Sequence, residues 1–431
     1  MIKNKKMQVD RRIQKLIDFT KEKFGLEDYC LERHSLSRSV NIFNETVYTL
    51  CMEWFPSYVI EPVDDGSNPE GTAVMEIDVN SQKFKSAIFV MGKTYAKDGI
   101  AFANLDTNKI IKWIEAETGL TYGKQFQLHK EAEGEIEFKE CFEGVAVSPS
   151  GFIDIKFNQK GKLTSFSVHG QFPSKERVKE ETYTLSLEAV EHLAKEQLKL
   201  IEYPSYEQKK LFSIYGVEEI YVTNDQTSTI PFEFIADVES YLKIDKTIYW
   251  EDPINRPFGR QEISWMEDIT AEQAFSCEPS PVSFPITKVE QDKCVMAVED
   301  LLRQEYPNDT GKWMLKTLHR DKGYIHAIVR ANHHDNRVFQ RKLMIMIDAK
   351  SLQAINYMDN KPMLEIFDQF QVPDKATITK EDAFEKMKQL FELKPYYVYD
   401  FKQKQYVLCR KIDCQYGVNA ESGEVIALDD L

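Results

Sequence analysis

The sequence predicts an α+β protein made of tandem units, each one helix packed on an antiparallel β-sheet. Three observations predict it. A short turn phrase recurs five times, as Asp78-Val79-Asn80-Ser81, Asn158-Gln159-Lys160-Gly161, Asp237-Val238-Glu239-Ser240, Asp348-Ala349-Lys350-Ser351 and Asn419-Ala420-Glu421-Ser422. Each copy follows a β-branched or aromatic run, and upstream of every run lies a segment with helical periodicity. Asp or Asn opens such a turn by accepting hydrogen bonds from backbone N–H groups two residues on, and Gly161 or Gly423 can supply the positive φ that closes it.

The helices follow in chain order. Val9, Ile13, Leu16, Ile17 and Phe24 fall on one helical stripe, Ile110, Trp113 and Ile114 sketch a second, and Val190, Leu193, Ala194, Leu198 and Ile201 form a third. The fourth helix starts at Thr287 with Glu290 and the fifth at Thr379 with Asp382. Both pairs have capping-box spacing, in which the hydroxyl accepts from the N–H three residues on and the acid reaches back. Their apolar faces are Cys294, Val298, Leu301 and Leu302, and Ala383, Phe384, Met387, Leu390 and Phe391.

Strand runs lead into the turns at Met75 to Ile77, Ile153 to Phe157, Phe232 to Ile235, Leu343 to Ile347 and Tyr416 to Val418. Upstream of the fourth turn, Ile325, Ala327 and Val329 alternate with Tyr324, His326, Ile328 and Arg330, the period of a sheet with one covered face. Of the intervals between copies, that from 237 to 348 is much the longest, and it contains Pro253, Pro257, Pro279, Pro281 and Pro285. The expected division is therefore 1–178 as an N-terminal pair of diverged units, 179–250 as a third unit, 251–286 as a proline-rich linker and 287–431 as a C-terminal pair.

Composition narrows the function. With 42% apolar and 12% aromatic residues the 431-residue chain has the means to fill ordinary cores, and a net charge of −15 leaves no concentrated positive patch to displace counterions from phosphates. Nucleic acid and anionic membrane are excluded as expected partners. No run approaches a membrane span, and residues 1–23 lack the apolar core of a secretion signal, so a cytoplasmic location is expected. Seven scattered cysteines (30, 51, 141, 277, 294, 409 and 414) read as reduced thiols, with Cys51, Cys294 and Cys409 in apolar runs; Cys409 and Cys414 lack the spacing of a redox or zinc pair.

The stretch Thr379-Lys380-Glu381-Asp382-Ala383, then Tyr406-Val407-Leu408, then Val418-Asn419-Ala420-Glu421-Ser422-Gly423-Glu424-Val425 resembles a PepSY domain, and Ser186-Leu187-Glu188-Ala189-Val190 echoes the same helix opening. Asn419 stands where that family usually has an acid and Ser422 where it has Thr. Taken over its whole length the chain is similar to the bacterial YcdB/YcdC repeat family. The resemblance implies a helix-on-sheet fold and a binding or regulatory role, since PepSY-like modules often accompany peptidases as inhibitory or partner-binding segments; it brings no catalytic motif.

Chemistry sought directly is sparse. There is no His-Glu-x-x-His pair, no phosphate-binding glycine loop and no Gly-x-Ser-x-Gly elbow. No catalytic, cofactor-binding or metal-ligating residue is assigned, and no cofactor is expected. The densest polar cluster is His333-His334-Asp335-Asn336 with His326 and His319 nearby, which could serve a metal-assisted hydrolase but reads better as the polar turn that reverses one strand into the next. Trp250-Glu251-Asp252 and Trp265-Met266-Glu267-Asp268 read as a solvated linker with two anchoring tryptophans, against an acidic surface for a basic peptide. The expected function is thus non-catalytic binding of a protein or peptide through a sheet edge. The alternatives are a hydrolase using His326, His333, His334 and Asp335, and a self-assembling structural protein.

Overall fold

Helix α1 (Arg11–Phe24) is capped by the Asp10 carboxylate, which accepts from the Arg12 N–H, and is ended by Gly25 in the left-handed region at φ 63°. A Cβ at Gly25 would lie 2.7 Å from the Asp98 backbone, so only glycine fits this stop. The computed structural model describes residues 9–58, 67–179, 181–182, 185–225, 228–231, 241–332 and 336–430, and these hold more strand than helix, with seven α-helices, an α+β protein. They fall into two compact units, Met1–Val178 with Glu267–Ser280, and Lys179–Met266 with Pro281–Leu431.

In the first unit α1 is followed by β1 (Tyr29–Val40), β2 (Thr46–Pro56), β3 (Ala73–Asp78) and β4 (Phe84–Phe89). Helix α2 (Thr107–Thr118) is followed by β5 (Phe126–Ala132), β6 (Glu135–Phe142), β7 (Val145–Ser148), β8 (Phe152–Phe157) and β9 (Leu163–His169). All pairings are antiparallel, in the order β1-β2-β3-β4-β9-β8-β6-β5, with β7 folded back on the end of β6. Ile13, Leu16, Ile17 and Phe24 of α1 and Ile110 and Ile114 of α2 meet Leu50, Met52, Met75, Ile77, Ile153, Ile155 and Phe166 of the sheet in one core. Each such side chain removed from water contributes about 1.5–3 kcal/mol.

The second unit opens with α3 (Leu187–Gln197), β10 (Leu198–Ser205), β11 (Lys210–Val217), β12 (Ile220–Thr223), β13 (Thr229–Pro231) and β14 (Tyr241–Ile248). The segment 251–286 is irregular and mostly exposed, with Ala274, Ser280, Ser283 and Ile286 as its buried positions. Trp250 at its start is core, 8% exposed, and Phe258 packs against the same cluster. Farther on, α4 (Ala271–Phe275) belongs to the first unit, with Ala274 fully buried in its core and Tyr48 donating to the Glu278 carbonyl. Proline and polar residues here mark irregular backbone that is exposed along most of its length and held at a few buried positions.

Helix α5 (Lys288–Glu305), with the expected Thr287–Glu290 capping box, is followed by β15 (Trp313–Asp321), β16 (Tyr324–Ala331), β17 (Lys342–Asp348) and β18 (Ala354–Asp359), and then by a short helix, α6 (Lys361–Leu364). The sheet β14-β15-β16-β17-β18 buries Leu315, Leu318, Ile325, Ala327, Val329, Leu343, Ile345 and Ile347 with Cys294, Val298, Leu301 and Leu302 of α5. Helix α7 (Lys380–Met387), capped by Thr379 and Asp382, leads to β19 (Glu392–Asp400), β20 (Gln405–Asp413), β21 (Tyr416–Asn419) and β22 (Val425–Ala427).

The strands after α7 do not pair with those after α5. They pair with the strands after α3, and reciprocally: one sheet runs β10-β11-β21-β22, the other β19-β20-β12-β13. Helices α3 and α7 share one core in which Val190, Ala194, Ala383, Phe384 and Met387 meet Ile220, Val222, Ile412 and Val418. Residues 179–250 are therefore not a self-contained unit, and 287–431 are not a pair. β14 closes the α5 sheet, and β10 to β13 are completed only by the last strands of the chain.

The turn phrase has one geometry at three of its positions. The Oδ1 of Asp78, Asp348 and Asn419 accepts from the backbone N–H groups two and three residues on, and the fifth residue (Gln82, Leu352, Gly423) is left-handed. Asn158 makes the same start, but its loop closes one residue sooner, at Gly161. Asp237 lies outside the described residues. The hairpin β12–β13, the counterpart of β21–β22, turns at Thr223 to Ser228, where the Thr223 hydroxyl accepts from the Ser228 N–H.

Candidate functional site

A sheet edge binds a peptide only where its outward N–H and C=O groups are left open. Several edges of this protein are closed by its own chain or by local shape. Glu202 of β10 exchanges backbone hydrogen bonds with Asn336 and Val338, and Ile355 of β18 accepts from Gln261. β14 is bulged between Lys243 and Lys246, with Asp245 left-handed and paired to Lys243 at 3.2 Å. β5 is bulged between Leu128 and Lys130, and β13 and β22 have three residues each.

β1 is the long edge, twelve residues, and its exposed positions include His34, Ser35, Ser37 and Ser39. Past the bulge between Leu31 and Arg33 its register with β2 is unbroken to Val40. The Asn41 N–H bonds to the Glu45 carbonyl, so by antiparallel alternation Ser35, Ser37 and Ser39 exchange bonds with β2. His34, Leu36, Arg38 and Val40 then turn their backbone groups outward, and among the described residues no backbone hydrogen bond reaches them. Arg38 is fixed by a two-point ion pair to Glu267 at 3.0 and 3.1 Å, which takes that acid out of the expected acidic surface.

Of His326, His333, His334 and Asp335, only His326 lies among the described residues. Residues 333–335 lie outside the described residues, and Ala331, where β16 ends, is about 17 Å along the strand from His326. Among the described residues no group of three or more His, Cys, Asp or Glu side chains is placed to hold a metal ion. His326 is buried at 4% exposure, opposite His319 at a ring separation of 5.0 Å. Burial lowers both imidazoles, His319 to about 4 with the neighbouring His326 adding to the fall. Trp265, 45% exposed, lies 6.1 Å from the His326 ring.

Two acid sites carry no sequence motif, since Glu140 and Glu219 find their partners far along the chain. Glu140, 1% exposed, accepts at 2.7 Å from the Gly151 and Phe172 N–H groups, and burial raises it to about 7 against the pull of those donors and the Gln171 N–H. Lys411 of β20 is 3.0 Å from Glu219 and 3.3 Å from Asp413, where the chain leaves β11 and β20 to change sheets. Burial raises Glu219, helped by its hydrogen bond to Asp413; Asp413, on which burial also acts upward, ends lowered by that bond and by Lys411. Split carboxyls of this kind can serve as acid and base, yet neither lines a groove of about 560 Å³ beside α5 or one of about 320 Å³ between α3 and α7. Their place at the crossing makes them a structural clamp. Cys141, Cys294, Cys409 and Cys414 are buried and the thiol of Cys409 is pushed up to about 12 by burial, so it is inert. Among the described residues no helix is long and apolar enough to cross a membrane.

No family model matches the chain, and no curated protein matches it. Among solved structures the chain is similar to the Bacillus megaterium YpeB C-terminal domain, with a TM-score of 0.25 and 8% identity over 82% of this chain and 98% of that one.

Proposed function

We propose that this chain is a non-catalytic protein- or peptide-binding protein of tandem PepSY-like units, and that β1 takes up an extended peptide as a further antiparallel strand. The observation that carries the reading is the open run from His34 to Val40, with outward backbone groups on every second residue while β10 and β18 are engaged by their own chain. Seven residues of strand span roughly 20 Å, and each backbone bond made there adds about 0.5–1.5 kcal/mol. The PepSY likeness rests on the residues of Thr379 to Val425 and is consistent with the shared turn at Asp78, Asp348 and Asn419.

The test is selection from a displayed random-peptide library on the immobilised protein, repeated with His34→Pro and His34→Ala. Proline removes an outward N–H without touching the ladder to β2, so the fold survives while an added strand loses a partner. Peptides held by wild type and His34→Ala but released by His34→Pro are the expected result. Equal retention by all three, or no enrichment on wild type, sinks the edge reading.

A further inference from the structure

The face of the β14–β18 sheet turned away from α5 carries a row of donors that sequence order hides. His319 on β15 is register partner to His326 on β16, and His326 is register partner to Met346 on β17, so the three side chains stand side by side across three strands. His326 and Met346 are 4% and 2% exposed, and the Nε2 of His326 is buried with no hydrogen-bond partner among the described residues. An orphaned buried nitrogen is unfavourable, and packing alone gives no reason for it, since the opposite face of the same strands is filled by Leu318, Ile325, Ala327, Ile345 and Ile347. Burial keeps both imidazoles neutral, the form that offers a lone pair.

A strap closes over this row. The Gln261 N–H bonds to the Ile355 carbonyl at 2.8 Å, the Asn356 amide donates to the Gln261 carbonyl at 2.8 Å, and the Ser264 N–H donates to the Tyr324 hydroxyl at 3.1 Å. These bonds bring the Trp265 ring edge-on to His326 and to Tyr324, at 6.1 Å from each.

We propose that His319, His326 and Met346 bind a soft monovalent metal ion, Cu(I), under Trp265. Two imidazoles on one ion, with bonds of about 2.0 Å at a tetrahedral angle, have ring centres roughly 5 Å apart, and the observed separation is 5.0 Å. A thioether selects Cu(I) over zinc, which takes thiolate, imidazole or carboxylate. The donors are all neutral, and because the cost of burying an ion grows as the square of its charge, such a set holds a monovalent ion far more readily than a divalent one. The Trp265 ring beside His326 helps to shield the site from water.

The probe is Cu(I) itself, added anaerobically with ascorbate to the full chain carrying Cys30→Ser, Cys51→Ser and Cys277→Ser, which removes the accessible thiols, in competition with bicinchoninate. One ion per chain is expected, with quenching of tryptophan emission that Trp265→Phe removes. Met346→Leu conserves volume and so keeps the fold, which near-UV circular dichroism checks; it should weaken binding about tenfold or more, and Zn(II) should not displace the copper. Wild-type affinity in Met346→Leu, displacement by equimolar Zn(II), or no binding once the thiols are gone overturns the site.

Discussion

At the scale of single residues, the buried Glu140 ties distant stretches of backbone together. Its carboxyl ties the backbone at Gly151 to that at Phe172, and Gly151 and Gly170 pack so closely on it that a Cβ at either would lie 2.3 or 2.5 Å from its Oε2. Burial raises this acid from its ordinary 4.5 to about 7. A group held more tightly protonated in the fold than in the open chain stabilises the fold fully below the open-chain value and loses that effect as pH rises to the folded one. The window therefore runs from about pH 4.5 to 7, and the effect is about 3 kcal/mol. Thermal unfolding of wild type against Glu140→Gln at pH 5 and pH 8 measures it: wild type should lose its advantage over the variant as pH rises, and a pH-independent difference would refute the assignment. Nothing near Glu140 in sequence announces this, because its partners are backbone groups 11 and 32 positions away.

At the scale of elements, the turn and the caps were legible because their chemistry is local. Thr287–Glu290 and Thr379–Asp382 form the capping boxes their spacing foretold, and Asp78, Asp348 and Asn419 make the same two bonds to the next backbone donors. The hairpin β19–β20 uses the same device at Asp400, where Lys402 and Gln403 donate to its Oδ1, and it was missed because Asp400-Phe401-Lys402-Gln403 lacks the serine or glycine that ends the phrase in the other copies. Thr223 in β12–β13 was missed for the converse reason, a hydroxyl doing the work of an amide. If the oxygen acceptor is what matters, Asp348→Asn should be near neutral, as Asn419 already shows the amide suffices, while Asp348→Ala should cost about 1 kcal/mol in thermal denaturation. Equal losses in both variants would assign the effect to charge instead. The same locality explains why the α5 face was readable and the donor row on the other face was not: alternation tells which residues share a face, but only cross-strand register brings His319, His326 and Met346 together.

At the scale of the whole molecule, the order helix then strands was readable and the pairing of the strands was not. Local pattern makes β11 and β12 look like successive strands of one small sheet, yet their partners are β21 and β20, some 200 residues later. The exchange is favoured because each short strand gains a neighbour and the two helices α3 and α7 bury one core in place of two small ones, and Lys411, Glu219 and Asp413 hold the crossing. Long-range pairing of this kind has a sharp consequence. A chain ending before Thr379 keeps α5 and the strands β14 to β18 but lacks every partner of β11 and β12 that comes from α7 onward. Hydrogen exchange of that truncated chain should show the amides of 210–223 unprotected while those of 313–348 stay slow, whereas five independent modules would leave both sets protected. Protection that persists in 210–223 would mean that the strands after α3 can close a sheet by themselves, and that the reciprocal exchange is not what holds this part of the fold.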